Sequence, residues 1–134
     1  MSTDLKLTIE TNAEELRRLK ANIDESVELR NKSARHAEKW KAACAELHRR
    51  YSQLAFPGGY DGALERISAG DPATIEAALC FVECRPYFFR SGYMYKDILR
   101  RLKRTPLESG NAKRLATILE AYEEYQRKRR QHGA

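Results

Sequence analysis

The sequence predicts an all-α fold, a bundle of about five helices, and three observations predict it. Apolar residues recur at three- and four-residue spacing through most of the chain. Prolines and glycines fall in a few short clusters that punctuate helix-length segments. Only Leu5-Lys6-Leu7-Thr8-Ile9 alternates as a strand would, and one short strand has no partner to pair with.

The elements follow in order. Residues 1–11 read as a flexible arm. Asn12 and Glu15 have the spacing of an N-cap and its reciprocal acid, which opens the first helix. No proline or glycine then occurs until Pro57-Gly58-Gly59. Within that window Leu16, Leu19, Ile23, Ser26, Arg30, Ser33, Ala37, Trp40, Cys44, Leu47, Tyr51 and Leu54 keep heptad spacing, apolar at both ends and polar in the middle. A continuous helix here would be about 65 Å long at roughly 1.5 Å per residue. That overhangs so small a domain, so a break near Asn31 or an antiparallel partner is expected; a homodimer through this helix is the third arrangement.

Tyr60 to Ala69 reads as a short helix stopped by Gly70. Asp71-Pro72 starts another, whose Ile75, Ala78, Leu79 and Val82 face the core and which ends by Pro86. Ser91 can cap the next, with Tyr95, Ile98, Leu99 and Leu102 on its buried side, closed by Thr105-Pro106. The last runs from about Ser109 to Arg130 with Ala112, Leu115, Ile118 or Leu119, Tyr122 and Tyr125 as its stripe, leaving 131–134 as a frayed tail. Residues 12–130 thus form one bundle domain, with Trp40, Leu47, Tyr51, Leu79, Val82, Leu99, Leu102, Leu115 and Leu119 in its core.

Composition narrows the function classes. At 42% hydrophobic and 33% charged, the chain is too apolar for disorder and too polar for a membrane protein. No leader pattern opens it, so a cytoplasmic protein is expected. Three cysteines, an odd number, argue against a disulfide framework. The net charge of +6 is local: residues 85–104 hold seven basic side chains against Asp97 alone, and charges elsewhere balance. A patch of this kind calls for an acidic partner.

The patch begins inside the chain's most unusual segment, Cys84-Arg85-Pro86-Tyr87-Phe88-Phe89-Arg90-Ser91-Gly92-Tyr93-Met94-Tyr95-Lys96. Interhelical segments are normally polar, whereas Arg and Tyr together dominate interface hot spots. Downstream, Lys96, Arg100, Lys103 and Arg104 share one helix face. Two readings compete for the aromatics: plugs for the bundle core, or a contact surface. As a surface, Arg85, Tyr87, Phe89, Arg90, Tyr93, Lys96, Arg100, Lys103 and Arg104 would engage an acidic protein. Alternatively they would engage nucleic acid, rings stacking on bases and cations on phosphates. No signature of a known nucleic-acid module is present. The stretch ECRPYFFRSGYMYKDILRRLKRTPL, within residues 79–107, resembles a pattern in small bacterial all-helical proteins, some of them immunity proteins that block a neighbouring toxin. That resemblance covers about a fifth of the chain and implies an inhibitor that works by occlusion.

Other chemistry finds less support. Cys44–His48 and Cys80–Cys84 are i,i+4 pairs that would offer zinc four ligands if their helices faced each other. Without a C-x2-C spacing, they read as small core residues beside a surface histidine. Gly-rich phosphate loops, H-E-x-x-H and G-x-S-x-G are absent. The expectation is a non-enzymatic protein-binding module with no catalytic residue, cofactor or metal. The run Arg127-Lys128-Arg129-Arg130 reads first as favourable charge at a helix C-terminus, and second as a binder of phosphates or an acidic partner.

Overall fold

The computed structural model describes residues 2–133; Met1 of the expected arm and Ala134 of the expected tail lie outside the described residues. Among the described residues there are six helices and no strand: α1 (Ser2–Val27), α2 (Ala34–Ala55), α3 (Ala63–Ser68), α4 (Pro72–Cys84), α5 (Ser91–Lys103) and α6 (Ser109–Gly133). The bundle class holds. The sixth helix comes from the break in the first long segment.

That break spans residues 28–33, and Ser33 restarts the chain by accepting the His36 N–H at 3.2 Å. α1 and α2 fold back as an antiparallel hairpin, with Arg50 against Glu15 at 2.9 Å. From Ile23 to Cys44 no side chain is fully buried, because the outer end of the hairpin has only its own two helices to pack on. The polar middle of the heptad stripe is the sequence of that end. Its Trp40 is half-buried there with the Arg30 guanidinium 5.5 Å above its ring, a correction to its expected place in the core. The apolar ends of the stripe are covered within one chain: Leu16 and Leu19 are buried, and Ile23 and Leu54 pack beside them.

The extended arm is also corrected. α1 begins at Ser2, and Leu5, Ile9, Ala13, Leu16 and Leu19 form one helical stripe with Ile9 buried and Leu7 exposed. Asn12 and Glu15 therefore lie inside a helix and cap nothing. The Glu15 carboxylate instead accepts from Arg18 at 2.6 Å and meets Arg50, and the Arg18 hydrogen bond chiefly holds its pKa down at about 2.

α2 ends at buried Phe56, where Gly59, at φ +90°, donates back to the Phe56 carbonyl at 2.8 Å. The expected helix from Tyr60 is shortened to Ala63–Ser68. Its first residues turn around Ser52, whose hydroxyl accepts both the Tyr60 and Asp61 N–H at 3.0 Å. Asp71 caps α4 as expected, accepting the Thr74 N–H at 3.0 Å.

α4 is the centre of the bundle. Ala77, Ala78, Leu79, Cys80, Phe81 and Val82 are consecutive and all buried, as a helix covered on every side requires. α1, α3, α5 and α6 pack around it. Arg114 of α6 bridges to α4, reaching Glu76 and Glu83 at 2.7 Å each. Of the remaining expected core residues, Leu47, Leu79, Val82, Leu99, Leu102 and Leu115 are buried, whereas Tyr51 and Leu119 are half-buried at its edge. On α6, Ile118 faces inward and Ala112 and Tyr125 face out. α6 also continues unbroken through residues 131–133, so the expected frayed tail is helical there. No helix of the described residues is long and apolar enough to cross a membrane.

Candidate functional site

The unusual segment is the connection from α4 to α5, and both ends of it are left-handed. Arg85 (φ +48°) ends α4, its N–H returning to the Phe81 carbonyl at 2.8 Å, and Pro86 prevents continuation. Arg90 (φ +69°) opens α5 without a side-chain cap. Ser91, expected to cap, is the first residue of α5. Its hydroxyl reaches back to accept the Phe88 N–H at 3.1 Å.

Two bonds from the hairpin pin this loop. Arg17 of α1 donates to the Tyr87 carbonyl at 2.6 Å, and Tyr51 of α2 donates to the Phe89 carbonyl at 2.7 Å. Between them Phe88 turns inward, 4% exposed, edge-on to Tyr51 and Phe81 at 6.0 and 6.3 Å. Tyr87 (78%), Phe89 (40%) and Tyr93 (72%) stand in solvent. The core-plug reading therefore holds for Phe88 and is corrected for Phe89 and Tyr93, which are exposed.

The exposed rings line a trough of about 870 Å³. One wall is α1, with Arg17, Lys20 and Asp24; the other is α5 and α6, with Lys96, Tyr122, Tyr125 and Arg129. Asp24 is its single carboxylate, and Lys20 holds it at 2.5 Å while lying 5.2 Å over the Phe89 ring. Arg90 lies over the same ring at 5.3 Å. A second hollow of about 570 Å³ adjoins at the α6 end, sharing Arg85, Lys96, Tyr122, Tyr125 and Arg129 and adding Arg130.

Where the two meet, Arg85 sits in a cage of tyrosines. Its guanidinium carbon is 4.1 Å from the Tyr125 ring, 4.8 Å from Tyr95 and 5.6 Å from Tyr122. The Tyr95 and Tyr122 rings pack at 5.4 Å, and burial raises the Tyr95 hydroxyl pKa. Stacking on faces fixes the guanidinium plane and leaves its edge donors unused. The Arg85 guanidinium makes no hydrogen bond or ion pair among the described residues.

Of the nine residues picked out by sequence, Arg85, Tyr87, Phe89, Arg90, Tyr93 and Lys96 line this trough. Arg100, Lys103 and Arg104 do not: they follow the exposed face of α5 away from it, and Arg100 pairs with Asp97 at 3.5 Å. The neighbouring Arg101 is structural, donating to the Leu64 carbonyl and the Ser68 hydroxyl at 2.9 Å each. Sequence reasoning missed Arg17 and Lys20, which α1 brings from 65 or more positions away; it read Tyr122 and Tyr125 only as part of the α6 stripe, and Arg129 only within the basic run 127–130. Only the last group left a signal, tyrosines spaced i,i+3 ahead of a basic run.

Among the described residues no group of three or more His, Cys, Asp or Glu is placed to hold a metal ion. Cys80 instead lies 3.3 Å from a Glu76 carboxylate oxygen and 3.8 Å from Arg114, its thiol pKa raised mainly by burial. Comparison with protein-family models, curated proteins and solved structures finds no match for this chain.

Proposed function

We propose that the chain is a non-enzymatic binding module that occludes an acidic site of a partner protein with its aromatic–basic trough. The observation that carries this reading is the pinned loop. Three large rings stand in water among Arg85, Arg90 and Lys96, on a backbone that two hydrogen bonds hold rigid. Exposed aromatic surface of this kind is characteristic of interaction sites, and Tyr and Arg anchors give affinity with little ordering cost when already fixed. The only carboxylate of the trough is already neutralised, so an acidic surface meets no repulsion. The resemblance of residues 79–107 to immunity-type proteins gives inhibition by occlusion as the mode of action, in a cytoplasmic, bacterial setting.

The test is a pull-down with tagged protein from native-host lysate, with and without nuclease, followed by binding to the purified partner. Arg90→Glu with Tyr93→Ala should abolish a stoichiometric, nuclease-resistant partner, while Lys103→Glu, outside the trough, should keep it. Equal capture by both variants would sink the reading.

A second reading is favoured by a specific observation. Arg85, Arg90, Lys96, Arg129 and Arg130 make no ion pair among the described residues and run along two continuous hollows beside exposed rings. Single-stranded nucleic acid binds such surfaces by stacking and phosphate contact. Salt separates the two: affinity for nucleic acid falls steeply as counterions are released, whereas an aromatic-anchored protein interface weakens less.

A further inference from the structure

The hollow at the α6 end differs in chemistry from the trough it adjoins. Its wall contains Arg85, Lys96, Arg129 and Arg130, and no carboxylate among the described residues. None of these four side-chain cations makes a hydrogen bond or ion pair among the described residues. Elsewhere the chain pairs cations readily: Arg18, Arg50 and Arg114 each reach an acid within 3 Å. Four cations lining one hollow with no counter-charge among the described residues imply a ligand of more than one negative charge.

We infer that this hollow is a phosphate-monoester site with Arg85 as its anchor. It rests on the docking proposal and deepens it by naming the group that the partner presents, a phosphorylated side chain. A carboxylate carries one charge and two acceptor atoms. A phosphate monoester carries roughly −1.5 to −2 at neutral pH and three acceptor oxygens, which matches four donors better. Arginine's planar fork binds two phosphate oxygens at once. Here that fork is set in advance: the tyrosine cage holds its plane, and the left-handed backbone at φ +48° aims the side chain off the end of α4 toward α6. A residue with a Cβ adopts that backbone at a cost, where glycine would fit freely. The arrangement fixes a side chain that makes no polar contact of its own within the fold. Lys96 on α5 and the two arginines on α6 supply mobile charge around it.

The experiment is a calorimetric titration of the full chain with inorganic phosphate, O-phosphoserine, adenosine monophosphate and, as the charge control, glutamate. Phosphate and O-phosphoserine should bind saturably and at least about tenfold tighter than glutamate. Arg85→Lys keeps the charge but loses the fork and should weaken both about tenfold. Arg129→Gln with Arg130→Gln, on an exposed stretch of α6 that cannot disturb the core, should weaken them similarly, and Lys103→Gln should leave them unchanged. Absence of saturable phosphate binding overturns the inference, as does equal affinity for glutamate or an Arg85→Lys protein that binds like the parent. Adenosine monophosphate binding tighter than O-phosphoserine keeps the phosphate site and overturns the protein-borne source. The docking proposal fails separately: phosphate can bind where no protein partner is captured, and a partner can be captured in an Arg90- and Tyr93-dependent way where phosphate does not bind.

Discussion

The Tyr51 hydroxyl donates to the Phe89 carbonyl oxygen at 2.7 Å, from α2 across to the loop that carries the exposed rings. The same Tyr51 ring packs edge-on to Phe88. One residue thus holds Phe88 inside and Phe89 outside. Burial raises its phenol pKa to about 12, so the donor proton is retained across all physiological conditions. Tyr51→Phe keeps the ring contact and removes the donor. It should lower stability by about 1 kcal/mol, the net worth of one such bond, and speed amide hydrogen exchange across 87–90 while leaving α4 protected. Unchanged exchange in the loop would show that Arg17 alone pins it.

How much of this was legible in the sequence depended on the range of the cause. Local causes were readable. Asp71-Pro72 opened α4, Pro57-Gly58-Gly59 ended α2, and the polar middle of the heptad stripe marked the hairpin end. The N-terminus misled because Leu5, Leu7 and Ile9 satisfy period two. Leu5, Ile9, Ala13 and Leu16 satisfy the helical period over a longer span, and that longer pattern prevails. The trough was half readable. Arg85, Tyr87, Phe89, Arg90, Tyr93 and Lys96 are close in sequence, so composition revealed them. Which of Phe88 and Phe89 turned in was fixed by Arg17 and Tyr51, side chains of other helices, and no local pattern encodes that.

Stability in acid should depend on Glu15. Its carboxyl is held at about 2, mainly by the Arg18 hydrogen bond, with Arg50 adding to it. A depressed folded pKa contributes stability above the unfolded value of roughly 4.3, and that contribution is lost as pH falls toward 2. Asp71 and Glu83, lowered by hydrogen bonds from Thr74 and Arg114, act in the same direction. The melting temperature should therefore decline from about pH 5 downward. Glu15→Gln should flatten part of that decline without changing stability's response above pH 6. A parallel, undiminished decline in the variant would assign the acid response elsewhere.

Arg114 is the polar tie between α6 and α4. It reaches Glu76 and Glu83 at 2.7 Å each, and all three side chains are less than a third exposed. Removing it takes the shared cation from both carboxylates, while Glu83 keeps Lys6 at 3.3 Å. Arg114→Leu should cost about 1–3 kcal/mol, in the range for charge-assisted hydrogen bonds that are partly screened. The loss should appear as faster exchange in α6 before α4, because α4 is held by four helices. A loss below about 0.5 kcal/mol would class the bridge with ordinary surface pairs.

Arg85 combines two opposing contributions that a pair of variants can separate. Its φ of +48° is unfavourable for any residue with a Cβ, while its guanidinium gains from three tyrosine rings. Arg85→Ala loses the cage contacts and keeps the strained backbone, so it should be less stable by about 1–2 kcal/mol. Arg85→Gly loses the same contacts but relieves the backbone, which returns about 1 kcal/mol. Chemical denaturation should place Gly above Ala by that margin and close to the parent, while both variants lose phosphate binding in full. That combination, a glycine protein nearly as stable as the parent and a site that depends on the side chain, is what strain maintained for binding predicts. Equal stability of the Gly and Ala proteins would mean that the backbone at Arg85 is relaxed and that the cage alone sets the side chain.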